Sequence, residues 1–95
     1  MIKGLSEKEL TIVKSILEPY KNRYEFWGYG SRVRGNFRPL SDFDIYIKSS
    51  DEVLVSDIEA LKSAFDNSDL PFVVNLAYDV NEDFYKLIKE DFVNL

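Results

Sequence analysis

The chain contains no cysteine and no histidine, only four glycines and three prolines, and one tryptophan. The first two absences exclude the most. Without them there is no Cys/His zinc centre, no thiol nucleophile, no imidazole base and no Ser-His-Asp triad. Any bound metal has to be held by oxygen ligands, which points to Mg²⁺, Mn²⁺ or Ca²⁺. The lack of cysteine fits any redox compartment. Long hydrophobic runs are also missing: Met1-Ile2-Lys3-Gly4 leads into charged positions without the apolar stretch of a signal peptide or a membrane span. The expected location is cytoplasmic, with no membrane partner.

Positive charge is the scarcer sign. Twelve Lys and Arg stand against 17 Asp and Glu, for a net charge of -5. Phosphate neutralisation needs a clustered basic surface, so this balance argues against a general nucleic-acid binder. It suits a small-molecule enzyme or a protein that docks on a basic partner. The 95 residues fit one domain, spanning positions 1–95. A domain of this size buries only about 60–65% of its unfolded surface, so its core has to be well patterned.

No repeat, linker or low-complexity stretch interrupts an alternation of helical and strand-like patterns, which indicates an α/β (α+β) domain. Ser6 and Glu9 have capping-box spacing and open a helix with Leu10, Val13 and Leu17 on its apolar stripe; Pro19 ends it. Tyr24 to Tyr29 reads as a buried strand. A loop with at most one helical turn runs from Arg32 to Ser41, and a second strand spans Asp42 to Lys48. Ser49-Ser50-Asp51 is expected to cap a helix running to about Asp66, with Leu54, Ile58, Leu61 and Phe65 facing inward. Pro71 to Tyr78 supplies a third strand. Asn81 caps a last helix whose Phe84, Leu87 and Ile88, with Phe92 beyond, are expected to face the core, leaving Tyr85, Lys86, Lys89 and Glu90 in solvent. Trp27 and the other aromatics are read as core residues. The sum is a short mixed sheet of at least three strands flanked by helices.

One constellation carries chemistry. Gly30-Ser31 is followed, after ten residues, by Asp42-Phe43-Asp44. Gly-Ser after a strand is a common turn, and Asp-x-Asp occurs by chance in acidic chains. Together they mean more. A two-residue period puts Asp42 and Asp44 on one face of a strand whose other face, Phe43, Ile45 and Ile47, is apolar. Carboxylates that close repel unless a cation lies between them or water surrounds them. Mg²⁺ is held through one or two such groups together with substrate phosphates. Gly30 lets the backbone approach a phosphate, and Ser31 offers a hydroxyl and opens a helical turn with free N–H groups. Arg32, Arg34 and Arg38 concentrate positive charge between the two halves. Donors and cations on one side and metal on the other is what a nucleoside triphosphate requires.

The run from Gly30-Ser31-Arg32-Val33-Arg34-Gly35 through Arg38-Pro39-Leu40-Ser41-Asp42-Phe43-Asp44-Ile45 resembles the signature of the minimal nucleotidyltransferases, the smallest branch of the polymerase-β-like superfamily. The likeness is dense from Tyr29 to Ile47 and covers the chain in element order. It implies the polymerase-β-like fold, ATP bound with Mg²⁺ or Mn²⁺, and nucleotidyl transfer to an acceptor hydroxyl. On this resemblance Gly30, Ser31, Arg32 and Arg34 hold the nucleotide, and Asp42 and Asp44 are the catalytic metal ligands. Many members of the family are antitoxins paired with a HEPN-domain ribonuclease toxin, and some transfer AMP to a tyrosine of that toxin. An acidic surface would suit a basic partner of that kind.

The chain departs from the family at one place. A third carboxylate is expected on the next strand, and Asn75 stands there within Val74-Asn75-Leu76-Ala77-Tyr78-Asp79. An amide oxygen can coordinate Mg²⁺ but brings no charge and accepts no proton, and Asp79 lies roughly 13 Å further along the strand. Two expectations follow: a MgATP-binding adenylyltransferase, or a catalytically impaired protein of the same fold that neutralises its partner by binding alone. A polymerase or antibiotic-modifying role would need an added domain for which 95 residues leave no room.

Overall fold

Residues 2–95 are described by a computed structural model. Helix α1 spans Glu7–Leu17 and opens as its spacing predicts: the Glu9 N–H donates to Ser6 Oγ at 3.1 Å, and the Ser6 N–H donates to Glu9 Oε1 at 2.9 Å. A single 3₁₀ turn carrying Pro19 ends it. Strand β1 (Glu25–Tyr29), the four-residue helix α2 (Ser31–Arg34), strand β2 (Phe43–Lys48), helix α3 (Val55–Asp66), strand β3 (Val74–Ala77), helix α4 (Glu82–Ile88) and a two-residue strand β4 (Val93–Asn94) follow.

The sheet order is β3-β2-β1-β4. β1 runs antiparallel to both β2 and β4, while β2 and β3 are parallel and joined through α3. The sheet is therefore mixed, as expected, with one strand more than the sequence marked. Two residues carry no readable period, so β4 is formed by pairing with Trp27 and Gly28 rather than by any local preference.

Register divides the sheet into two unlike faces. Phe26, Phe43, Ile45 and Ile47 point to one side and meet Val13 and Leu17 of α1 and Ile58, Leu61 and Phe65 of α3. This is the main core. On the other side Trp27, Tyr29, Asp44, Tyr46 and Asn75 share a face. α4 and the turn after it cover part of that face: Phe92 stacks on Trp27 and Tyr46 at centroid distances of 5.7 and 5.5 Å, and Tyr85 meets Tyr46 edge-on at 5.5 Å. The aromatics thus form two clusters, one on each face.

Three local expectations are corrected. α3 begins at Val55, not after Ser49-Ser50-Asp51. Those polar side chains close their own turn instead, with the Asp51 N–H on Ser49 Oγ and the Glu52 N–H on Asp51 Oδ1. The Leu54 N–H at the helix entry donates to the Tyr24 hydroxyl. On α4, Asn81 caps as predicted, but Phe84 is 37% and Leu87 72% exposed, and only Ile88 is buried. Tyr85, expected in solvent, packs on the aromatic face instead. The aromatic surface, rather than the apolar stripe, orients this helix.

Candidate active site

The functional side chains gather where β1 and β3 end and begin beside β2. Tyr29 pairs with Asp44 across the antiparallel ladder, and Asn75 pairs with Asp44 across the parallel one. Asp42 immediately precedes β2, and the neighbouring Phe43 N–H is held by the Val73 carbonyl at 2.9 Å. Three elements distant in sequence therefore place Gly30, Asp42, Asp44 and Asn75 at one corner of the sheet.

Gly30 is required there twice over. Its φ is 87°, a region that residues with a Cβ rarely adopt, and a Cβ built on it would run into Asp44 Oδ2. The missing side chain is what lets β1 turn into α2 directly against the Asp44 carboxylate. Ser31 opens α2 half-buried, at a helix start that no side chain caps.

Asn75 sits between the two carboxylates. Its Nδ2 donates to Asp42 Oδ2 at 2.9 Å and to Asp44 Oδ1 at 3.2 Å. Ionised carboxylates only accept hydrogen bonds, so the amide can face this pair only with its N–H groups. Burial pushes the Asp44 carboxyl above its ordinary range; the Asn75 hydrogen bond opposes this, Asp42 adds to it, and Arg34 opposes it. The Tyr29 hydroxyl is pushed up to about 12 by burial and by the adjacent Asp44.

The gap that the amide fills calls for a positive partner, and its donors are all oxygen. That donor set fits a hard divalent cation such as Mg²⁺ or Mn²⁺ held by Asp42 and Asp44. Among the described residues no group of three or more Asp, Glu, His or Cys side chains converges. Asp79 takes no part. It has a φ of 51° beyond the end of β3 and acts instead on Tyr46, whose hydroxyl is raised by burial, by Tyr85 and by Asp79.

The two arginines assigned to the nucleotide separate. Arg34 is half-exposed and forms an ion pair with Asp91 at 2.7 Å, near enough to Asp44 to favour its ionised form. Arg32, expected at the nucleotide, is turned into the protein instead. It is 4% exposed, and its guanidinium donates to the carbonyls of Gly4, Pro39 and Ser41. The reason was legible: residues two apart on a helical turn point in nearly opposite directions, so Arg32 and Arg34 cannot both face one ligand. Asp91 and Tyr29, both beside the site, were missed, because only the strand register and the return of the chain at β4 bring them there.

The family described as "Nucleotidyltransferase domain" matches residues 10–94. A protein of Haemophilus influenzae, "Probable protein adenylyltransferase MntA", is 37% identical over 91 residues, which cover 94% of this chain and 80% of that protein.

Proposed function

The chain belongs to the nucleotidyltransferase-domain family, and from that premise we propose that it binds ATP with Mg²⁺ or Mn²⁺ and transfers AMP to a tyrosine hydroxyl of a protein. The observation that carries this reading is the meeting of Asp42, Asp44 and the glycine turn at Gly30 on one corner of the sheet. Gly30, Ser31 and Arg34 would hold the triphosphate, and Asp42 and Asp44 would hold the cation. When bound, the cation neutralises phosphate charge and helps orient the acceptor oxygen. The acceptor oxygen bonds to the α-phosphorus, the α–β anhydride bond breaks, and pyrophosphate leaves. The hydroxyl proton passes to a carboxylate of the pair or to water, because Asn75 cannot accept it.

The name of the Haemophilus relative, a probable protein adenylyltransferase, supports a protein acceptor. The family resemblance extends this to an antitoxin whose partner is a HEPN-family toxin, acting in the cytoplasm. Among the described residues no helix is long and apolar enough to cross a membrane. The net charge of -5 suits a basic partner.

Asn75 favours a second reading, in which the same site is catalytically impaired and the chain neutralises its partner by contact alone. One experiment separates the two. The chain is incubated with the HEPN partner, Mg²⁺ and ATP labelled at the α-phosphate, and label on the partner is measured beside neutralisation of the toxin. Transfer that is lost in Asp44→Ala supports the enzyme. Equal neutralisation by wild type and Asp44→Ala, with no label from either, overturns it in favour of binding alone.

A further inference from the structure

We infer that Arg32 is the positioning residue of this site, the side chain that sets the spacing between the glycine turn, the Asp42 segment and the strand carrying Asn75. The inference rests on the nucleotidyl-transfer reading above and replaces a ligand-binding role for Arg32 with one behind the site.

A buried guanidinium is costly unless its donors are satisfied, and here all three nitrogens are engaged. Nη1 reaches the Gly4 carbonyl at 2.6 Å, Nε the Ser41 carbonyl at 2.8 Å and Nη2 the Pro39 carbonyl at 2.9 Å. The plane lies over the Phe72 ring, 4.0 Å from its centroid, with Phe37 at 5.1 Å. Two of these contacts, to Ser41 and Phe72, lead directly to the site. Ser41 shares a peptide plane with Asp42, so holding its carbonyl orients the backbone from which that carboxylate projects. Phe72 lies three residues before Asn75, in the segment whose Val73 carbonyl receives the Phe43 N–H. Arg32 itself follows Ser31. One planar group therefore touches the carriers of all three parts.

The N-terminal segment clamps this brace from outside. The Gly4 N–H donates to the Arg32 carbonyl at 2.8 Å, reciprocating the bond from Nη1. A Cβ on Gly4 would lie 2.5 Å from Arg32 Cβ and 2.6 Å from its Cα, so only glycine allows this approach. Lysine cannot replace the guanidinium, because a single ammonium lacks the planar fork that meets three carbonyls while stacking on a ring.

The test uses the full chain, with Arg32→Lys, Gly4→Ala and, as a control, Tyr24→Phe. Tyr24 makes a buried hydrogen bond to Asp57 and accepts a half-buried one from Leu54, at the opposite end of β1 from the site. The first readout needs no metal: the side-chain amide of Asn75 in a ¹H–¹⁵N spectrum, whose protons are held by the two carboxylates. The second is the affinity for Mn²⁺ alone, followed by electron paramagnetic resonance at a temperature where each protein is folded. Arg32→Lys and Gly4→Ala should shift the Asn75 amide toward solvent-exposed asparagine and weaken Mn²⁺ binding about tenfold or more, as loss of an outer-shell partner does. Tyr24→Phe should leave both unchanged. If Arg32→Lys does not fold, Gly4→Ala carries the test, since it keeps the guanidinium and displaces it. Wild-type values in a folded Arg32→Lys, or equal losses in Tyr24→Phe, overturn the inference. A wild type that binds no Mn²⁺ but shows the amide response overturns the metal site and leaves the brace standing.

Discussion

Asn75 and Asp44 are register partners across the parallel β2–β3 pair, and the Asn75 amide bridges Asp44 to Asp42 at 3.2 and 2.9 Å. Two carboxylates that would repel are thus joined by a neutral donor. The amide stabilises the pair through these two hydrogen bonds.

Asn75→Asp should undo that stabilisation. Losing hydrogen bonds to charged groups and adding a third negative charge should cost the metal-free protein about 1 kcal/mol or more. At roughly 4–8 °C per kcal/mol for a domain of this size, the melting temperature in chelator should fall by several degrees. Mn²⁺ should then raise it by more in the variant than in wild type. Calorimetric melts with and without Mn²⁺ measure both; an equal metal response in the two proteins contradicts the expectation.

Asp44 carries a pH signature. Burial raises its carboxyl above the ordinary value of 3.8, so the folded state holds the proton more tightly than the unfolded one. Its contribution is most favourable below the unfolded value and is lost as pH rises through the folded one. In chelator, Asp44→Asn should therefore be more stable than wild type at neutral pH, and the difference should vanish below pH 3.8. Denaturant melts across that range give the answer.

Tyr29 should show the same sign at the alkaline end. Its hydroxyl titrates near 12 in the folded chain against an ordinary 10.0. The stability it contributes is complete below about 10 and is lost as pH rises toward 12. Tyr24 and Tyr46 are also raised by burial, so phenolate absorbance should show a late-titrating component that is diminished, not abolished, in Tyr29→Phe. Asp44→Asn should lower its pKa only in part, because burial is the larger cause.

Gly30→Ala should damage fold and site together. The positive φ alone strains a residue with a Cβ by roughly 1–3 kcal/mol, and the new methyl would displace the Asp44 carboxylate. Weaker Mn²⁺ binding beyond what the loss of stability explains is the expected result, measured by titration at low temperature.

Arg34→Ala separates stability from ligand binding. Its ion pair with Asp91 is half-exposed, and such pairs contribute about 1 kcal/mol or less. Melting should change little while affinity for a metal-free triphosphate falls severalfold. Unchanged triphosphate binding would remove Arg34 from the site.

Much of this molecule was legible as sequence because its signals are local. A capping box at Ser6 and Glu9, the alternation of Phe43, Ile45 and Ile47 against Asp44 and Tyr46, and the Asn81 cap each depend on residues within a turn or a strand of one another. The spacing from Gly30-Ser31 to Asp42 and Asp44 was legible for the same reason: a strand end, a short turn and a strand start leave the chain few ways to bring them apart. Failures came where a local signal met a competing partner. Ser49 and Asp51 bond their own turn, and Leu87 points outward because Tyr85 and Phe92 find an aromatic face.

What the sequence by itself determined was the element order, the glycine turn, the paired carboxylates and the absence of any histidine or cysteine. Only the tertiary structure decided what those residues touch. It pairs Asn75 with Asp44 through a register that nothing within β3 specifies, and it brings Asp91 back to Arg34 from the far end of the chain. It also turns Arg32 inward onto Gly4, Pro39, Ser41 and Phe72. The physical reason is common to all three. A side chain's type sets what bonds it can make, but which bonds it makes depends on donors and acceptors delivered by distant segments, and burial then makes the choice binding.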